Sequence, residues 1–149
     1  MGASAALAGL VFVGISINLR RVIALPVISH RAFQALLILS GSLGIESLLL
    51  APGQSTFLQG LGVLAVAVVL WAALNWLEGT SWRIVPRANR ARLEIHTITI
   101  QIPSVLAFVG ALLLPLANPS ALYWMVPATL TSILGAMLEA WVITVEILR

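Results

Sequence analysis

Residues Phe57 to Leu77 are 21 consecutive positions without a charged side chain, and this stretch limits what the rest of the chain can be. A helix needs about 20 apolar residues to cross a hydrocarbon core of ~30 Å. An uncharged run of that length has no role in a soluble domain of 149 residues. Composition points the same way. Hydrophobic residues make up 60% of the chain and charged residues 9%, against roughly 25% charged in soluble domains. The chain cannot cover a water-facing surface, and a single integral membrane domain over 1–149 follows.

Four more apolar runs accompany the first, so the spacing predicts an all-α membrane protein with five transmembrane helices over 3–23, 32–51, 57–78, 95–117 and 120–148. The first run ends at the pair Arg20–Arg21 and reaches a full crossing only if the helix continues through Val22 and Ile23 with both arginines snorkelling. Ala5 and Gly9 form a small-xxx-small pair suited to close helix packing, and Pro26 marks a break. The second run carries Ser40-Gly41-Ser42, Gly44 and Glu46, and LPVISHR before it reads as a short polar connection. APGQST, residues 51–56, is an uncharged proline–glycine turn. Trp76 and Trp82 fit an interfacial aromatic belt. In the fourth run Pro103 predicts a kink. Thr97 to Ile102 alternates like a strand, but an isolated strand has no hydrogen-bond partners in lipid, so it is read as helix. Asn118-Pro119-Ser120 is a tight turn. A helix over 120–148 is about 44 Å long and must tilt or project into water.

The ionisable residues fix an orientation. The chain has eight arginines, no lysine, five glutamates and no aspartate. With five spans all eight arginines fall on one side, which the positive-inside rule makes cytoplasmic, with the N-terminus out and the C-terminus in. The longest hydrophilic stretch, Glu78 to Glu94, holds Arg83, Arg87, Arg90 and Arg92, which serve as a topology anchor or hold anionic lipid headgroups. Arginines at the ends of apolar runs belong to a bilayer, not to nucleic acid. The apolar start has its arginines after the run and not before it, the reverse of a secretory signal, so it is read as part of the fold. Without cysteine there is neither disulfide nor thiolate chemistry.

Carboxylates inside a membrane are functional candidates because each costs ~2.5–3.5 kcal/mol or more to insert at mid-helix. Glu78 and Glu146 fall at the cytoplasmic boundary, where solvation or a nearby arginine accounts for them. Glu139 falls on a stripe of the last helix, Ala128–Ser132–Gly135–Glu139–Val142–Glu146, that is small or polar while the other faces carry Leu, Ile, Met and Trp. That stripe is either a packing face or the lining of a water-filled path in a ring of copies, where a carboxylate ring favours cations. Pairing of Glu139 with Arg20 or Arg21 reconciles the two. Burial of the stripe in a dry contact within one chain excludes the lining. Glu46 follows the Ser40-Gly41-Ser42 break and is either a mid-membrane ion or substrate site or a carboxylate in an ordinary Gly/Ser-containing helix.

Asn18, Asn75, Thr97, Thr99 and Gln101 crowd the cytoplasmic half as interhelical hydrogen-bonding groups or as a vestibule tapering outward. That asymmetry counts against a wide static pore. His30 and His96 hold a haem only if they face each other across a pocket; no metal or cofactor is expected. No nucleotide loop or nucleophile motif is present, and no enzyme activity is expected.

The opening AALAGLVFVGISINLRRVIALP, the turn LLLAPGQ and the closing YWMVPATL…EAWVITVEILR resemble a set of small bacterial polytopic membrane proteins, some labelled modulators of the membrane protease FtsH. The resemblance implies a bacterial inner-membrane setting and no catalytic residues. The residues themselves lead to an oligomeric channel or transport-type protein for ions or a small solute. Its path candidates are Glu139, Ser132, Glu146, Glu46, Asn75 and Asn18. The alternative is a non-enzymatic modulator or scaffold subunit of a larger membrane complex. The expected partners are the lipid bilayer, further copies of the chain and a membrane-protein partner.

Overall fold

The structure is a computed structural model. It describes the backbone of residues 1–84, 90–116, 118 and 120–148, and side chains at 1–83, 94–116, 118 and 120–145. Six helices follow in order: α1 (Gly2–Ile17), α2 (Leu19–Ala24), α3 (Pro26–Leu50), α4 (Thr56–Ile84), α5 (Arg90–Leu113) and α6 (Ala121–Leu148). No strand occurs among the described residues, and Thr97 to Ile102 is helical as expected. Four helical stretches are long and apolar enough to cross a membrane, Pro26–Leu50, Thr56–Arg83, Glu94–Leu113 and Ala121–Val145.

Helix boundaries depart from expectation where proline and asparagine act. The first run is not one helix to residue 23. It breaks at Asn18, whose φ of −106° and ψ of 17° leave the helical region, while its side-chain amide donates to the Gly14 carbonyl at 3.2 Å. That local hydrogen bond competes with the helical ladder. α3 begins at Pro26, six residues before the expected span, so most of LPVISHR is helix and not a connection. Proline at the first helical position has no N–H to leave unsatisfied, and Leu25 before it is extended, as the proline ring requires. α5 stops at Leu113, short of residue 117, because Pro115 cannot continue it.

The connections are built from local hydrogen bonds. In the Ala51–Ser55 turn Gly53 takes a φ of +78° directly after Pro52, the arrangement of a type II turn. Gln59 then donates its side-chain amide to the Leu48 and Leu49 carbonyls at 3.1 and 2.9 Å, satisfying acceptors that the end of α3 leaves open. Asn118 Oδ1 accepts from the Ser120 amide at 3.0 Å, an Asx-type turn leading into α6.

α3 to α6 form an antiparallel series in which α5 packs most closely on α6 and α3 touches both α4 and α6. One end carries the starts of α3 and α5 and the finishes of α4 and α6. With Arg31 and Arg83 on it, this is the basic end; the Ala51–Ser55 turn, the finish of α5 and the start of α6 mark the opposite, turn end. Backbones close tightly near the turn end. A Cβ on Gly60 would lie 2.6 Å from the Pro115 nitrogen, and the core there is Val63, Ala67, Ala107, Ala111, Leu114 and Met125. α1 and α2 run antiparallel along α3. Ser4 meets Glu46, Val11 packs with Ala35 and Leu39, and Val22 packs with Ile28 and Ala32. Side chains on the perimeter are apolar, with Leu10, Val69, Tyr123 and Trp141 each more than 60% exposed.

Candidate functional site: a buried His–Glu cluster

α3, α5 and α6 each place a polar residue at the same depth toward the basic end. His96 on α5 sits between two acceptors, with Nδ1 2.7 Å from Glu139 Oε1 on α6 and Nε2 3.0 Å from Gln34 Oε1 on α3. Arg31, one turn below Gln34, brings Nε within 3.9 Å of Glu139 Oε2. Gln34, His96 and Glu139 are at most 5% exposed. Burial of this kind removes ordinary solvation, so the charges are compensated by each other or not at all.

The cluster is the first of three layers. One turn further toward the turn end, Ile38 on α3 and Ile100 on α5 meet Leu74 of α4 in an apolar contact. A further turn on, Ser42 and Ser104 join Ser132 of α6 around a cavity of about 10 Å³, room for roughly one water. The sequence produces this stacking by simple register. Gln34–Ile38–Ser42 and His96–Ile100–Ser104 advance in steps of four, which keeps each trio on one face of its helix. Layers therefore lie about 6 Å apart along the axis.

The cluster retains unused hydrogen-bonding capacity. Gln34 Nε2, Arg31 Nε and Glu139 Oε2 are buried without a hydrogen-bond partner, although Arg31 and Glu139 are close enough to attract. Both ring nitrogens of His96 face oxygens, Glu139 Oε1 on one side and Gln34 Oε1 on the other.

A second buried carboxylate lies on α4. Glu78 is 6% exposed and accepts at Oε2 from Gln101 Nε2 at 3.0 Å. The same Gln101 amide also donates to Asn75 Oδ1 at 3.2 Å. Glu78 is therefore neither solvated nor held by an arginine among the described side chains. Its other oxygen, Oε1, is buried without a hydrogen bond.

The expected path residues separate. Glu139 and Ser132 join the three-layer file. Glu46 lies apart on the α1 side, accepting from Ser4 Oγ at 2.8 Å and paired with the Met1 amino group. Asn75 is exposed and returns its amide to the Trp71 carbonyl at 2.7 Å. Asn18 serves the α1 break. The side chains of Glu146, Arg90 and Arg92, and all of Arg87, lie outside the described residues; Arg83 is exposed at the last turn of α4. Glu139 takes Arg31 and His96 as partners, not Arg20 or Arg21. The stripe is corrected as well: Ala128, Ser132, Gly135 and Glu139 are buried inside the chain, so they do not line a path between copies.

His30 Nδ1 is 3.3 Å from Ser81 Oγ, and His96 lies in the α3–α5–α6 cluster, so the two histidines do not face each other across a haem pocket. Among the described residues no three His, Cys, Asp or Glu side chains gather to hold a metal ion. The sequence does not single out Gln34; it marks Arg31 only as a topology arginine, Ser42 only as part of the Ser40-Gly41-Ser42 break, and His96 only as a ligand. The signal was there in the eight-residue polar spacing of Gln34–Ser42 and His96–Ser104. No protein family, curated protein or solved structure matches the chain.

Proposed function

We propose that this chain is a transport-type membrane protein for ions or a small solute, with its path inside the helical bundle of one chain. The observation that carries the reading is the buried His96–Glu139 contact of 2.7 Å, surrounded by Gln34 and Arg31. Ionisable groups at membrane depth are expensive and mark ion pathways and proton relays, and this cluster brings Arg31, His96 and Glu139 together. The Ile38–Ile100–Leu74 layer acts as an apolar plug between the cluster and the serine-lined cavity, the kind of constriction that gates a path by excluding water. Passage requires that layer to part. The protein acts as a carrier or gated channel, not as an open pore or an enzyme.

On the same reading α1 with α2 makes a fifth crossing. Together they accompany α3 from Glu46 to Ile28, about 27 Å of helix rise, which approaches the ~30 Å hydrocarbon thickness. Five crossings put the arginines on one, cytoplasmic, side, with the N-terminus out and the C-terminus in, in a bacterial inner membrane. The apolar perimeter is available for self-association.

The rival reading is a modulator or scaffold subunit of a larger membrane complex, in keeping with the resemblance to proteins labelled FtsH modulators. The observation in its favour is that the apolar layer is closed and the cavity beyond it holds about 10 Å³. Flux into proteoliposomes under a proton or cation gradient separates the two, comparing the natural chain with Glu139→Gln and His96→Asn. Transport predicts flux that falls at least tenfold in both variants. Absence of flux from folded natural protein, with a foreign subunit co-purifying in stoichiometric amount, favours the modulator.

A further inference from the structure

The α4–α5 seam holds a carboxylate with which, among the described residues, no arginine pairs. Glu78 is 6% exposed and accepts at Oε2 from Gln101 Nε2 at 3.0 Å, while its Oε1 is buried without a hydrogen bond. His96 is close enough to act on the Glu78 charge, but its two ring nitrogens lie on Glu139 and Gln34. Arg31 lies against Glu139. One turn from Gln101 on the same α5 face, the Thr97 hydroxyl is likewise buried and without a partner. Its neighbours behave differently. Thr80 and Ser81 of α4, and Thr99 and Ser104 of α5, return their hydroxyls to carbonyls of their own helix. Because α4 and α5 run antiparallel and Gln101 bonds to both Asn75 and Glu78, Thr97 falls opposite Gly79 to Trp82, within a turn of Glu78.

We propose that this seam binds a monovalent alkali cation against Glu78 Oε1 and the Thr97 hydroxyl. The inference deepens the transport reading by naming the class of ion. Both orphaned atoms are oxygens, and hard cations take oxygen ligands. The α3–α6 side of the bundle differs, because it orphans donors and an acceptor together, Arg31 Nε and Gln34 Nε2 with Glu139 Oε2. Water satisfies such a mixture, since it both donates and accepts. A single carboxylate balances a single positive charge. Among the described residues no three His, Cys, Asp or Glu side chains gather, which sets the seam apart from a transition-metal site. Glu78 also lies six residues from the end of α4, about 9 Å of helix rise, so an ion arriving from the basic end crosses little hydrocarbon.

Equilibrium binding of radiolabelled sodium, or of rubidium standing for potassium, tests this on the purified full chain in detergent, at fixed pH and with choline as the background cation. The natural chain binds at least one of the two ions in stoichiometric amount. Glu78→Gln lowers that binding by at least about tenfold, because ligand charge sets the affinity of an oxygen site. The glutamine still accepts from Gln101, so the fold is retained. Thr97→Val weakens binding and Thr97→Ser keeps it, a pair that separates ligation from shape. Glu46→Gln, on the α1 side, binds as the natural chain does. Binding of neither ion overturns the inference, and so does binding unchanged in Glu78→Gln or in Thr97→Val, or lost in Glu46→Gln. The assay needs no flux, so the two readings fail separately. Binding that depends on Glu78 in a chain that carries no flux keeps the site and removes transport, whereas flux from a chain whose binding ignores Glu78 does the reverse.

Discussion

The two ends of the bundle are held together by opposite means. Toward the turn end, helices approach until backbones nearly touch: Gly60 sits on Pro115, and a Cβ on Gly110 would lie 3.2 Å from the Ala121 carbonyl. The core between them is aliphatic, with Met125 the one sulfur-bearing side chain in it. Toward the basic end the same helices are joined through Glu139, His96, Gln34, Glu78 and Gln101, all with polar atoms pointed inward. In lipid there is little hydrophobic drive between helices, so close packing of small residues supplies the adhesion. The turn end uses that means fully. The basic end replaces it with buried groups that have orphaned hydrogen-bonding atoms, and a fold does not need those for cohesion. On the proposed reading that difference puts the chemistry at the basic end, while the turn end is held by close packing.

Three substitutions sharpen the contrast. Glu139→Ala leaves the buried His96 and the partly exposed Arg31 without the Glu139 carboxylate, and removing one partner of a buried charged pair costs about 3–5 kcal/mol. Thermal unfolding in detergent should show the largest loss of the three here, and a loss under about 1 kcal/mol would mean the cluster is solvated in the folded protein. Gly60→Ala drives a methyl group into the Pro115 ring and nitrogen. Overpacking of this kind costs about 1–3 kcal/mol, and because the site lies at the turn end, flux per folded molecule should stay unchanged. Loss of flux in a folded Gly60→Ala protein would break the division between the ends. Glu78→Gln should be the mildest, within about 1 kcal/mol, because a glutamine oxygen still accepts from Gln101. A larger effect would make Glu78 a second charged centre.

Much of the architecture could be read from the chain because hydropathy reports it directly. The run 57–77 lies wholly within α4, the helical state of Thr97 to Ile102 followed from the lack of strand partners in lipid, and the two turns fell where Pro52-Gly53 and Asn118 predicted. Helix ends were less legible. Pro26 reads equally as a breaker or a first helical residue, and what decides is the extended Leu25 before it. The site was half visible. Glu139 stands out as a submerged carboxylate on a stripe of small residues, but its partners lie 43 and 108 positions away at His96 and Arg31. Residues so far apart meet through the rotation of three helices about their axes. A stripe of small residues also has the same sequence signature whether it packs against a neighbouring helix or lines water, so its burial emerged only from the packed chain.

The central claim is that the buried file from Glu139 to Ser132 admits water during the protein's working cycle, and the chain's lack of cysteine makes it directly testable. Ser132→Cys and, as a control in the turn-end core, Ala111→Cys would each be exposed in intact vesicles to a membrane-impermeant thiol reagent. The transport account predicts that the Ser132→Cys protein is labelled while folded and that Ala111→Cys, fully buried in the natural chain, is not. If neither protein is labelled until it is unfolded, the file is a sealed packing contact and the account is wrong.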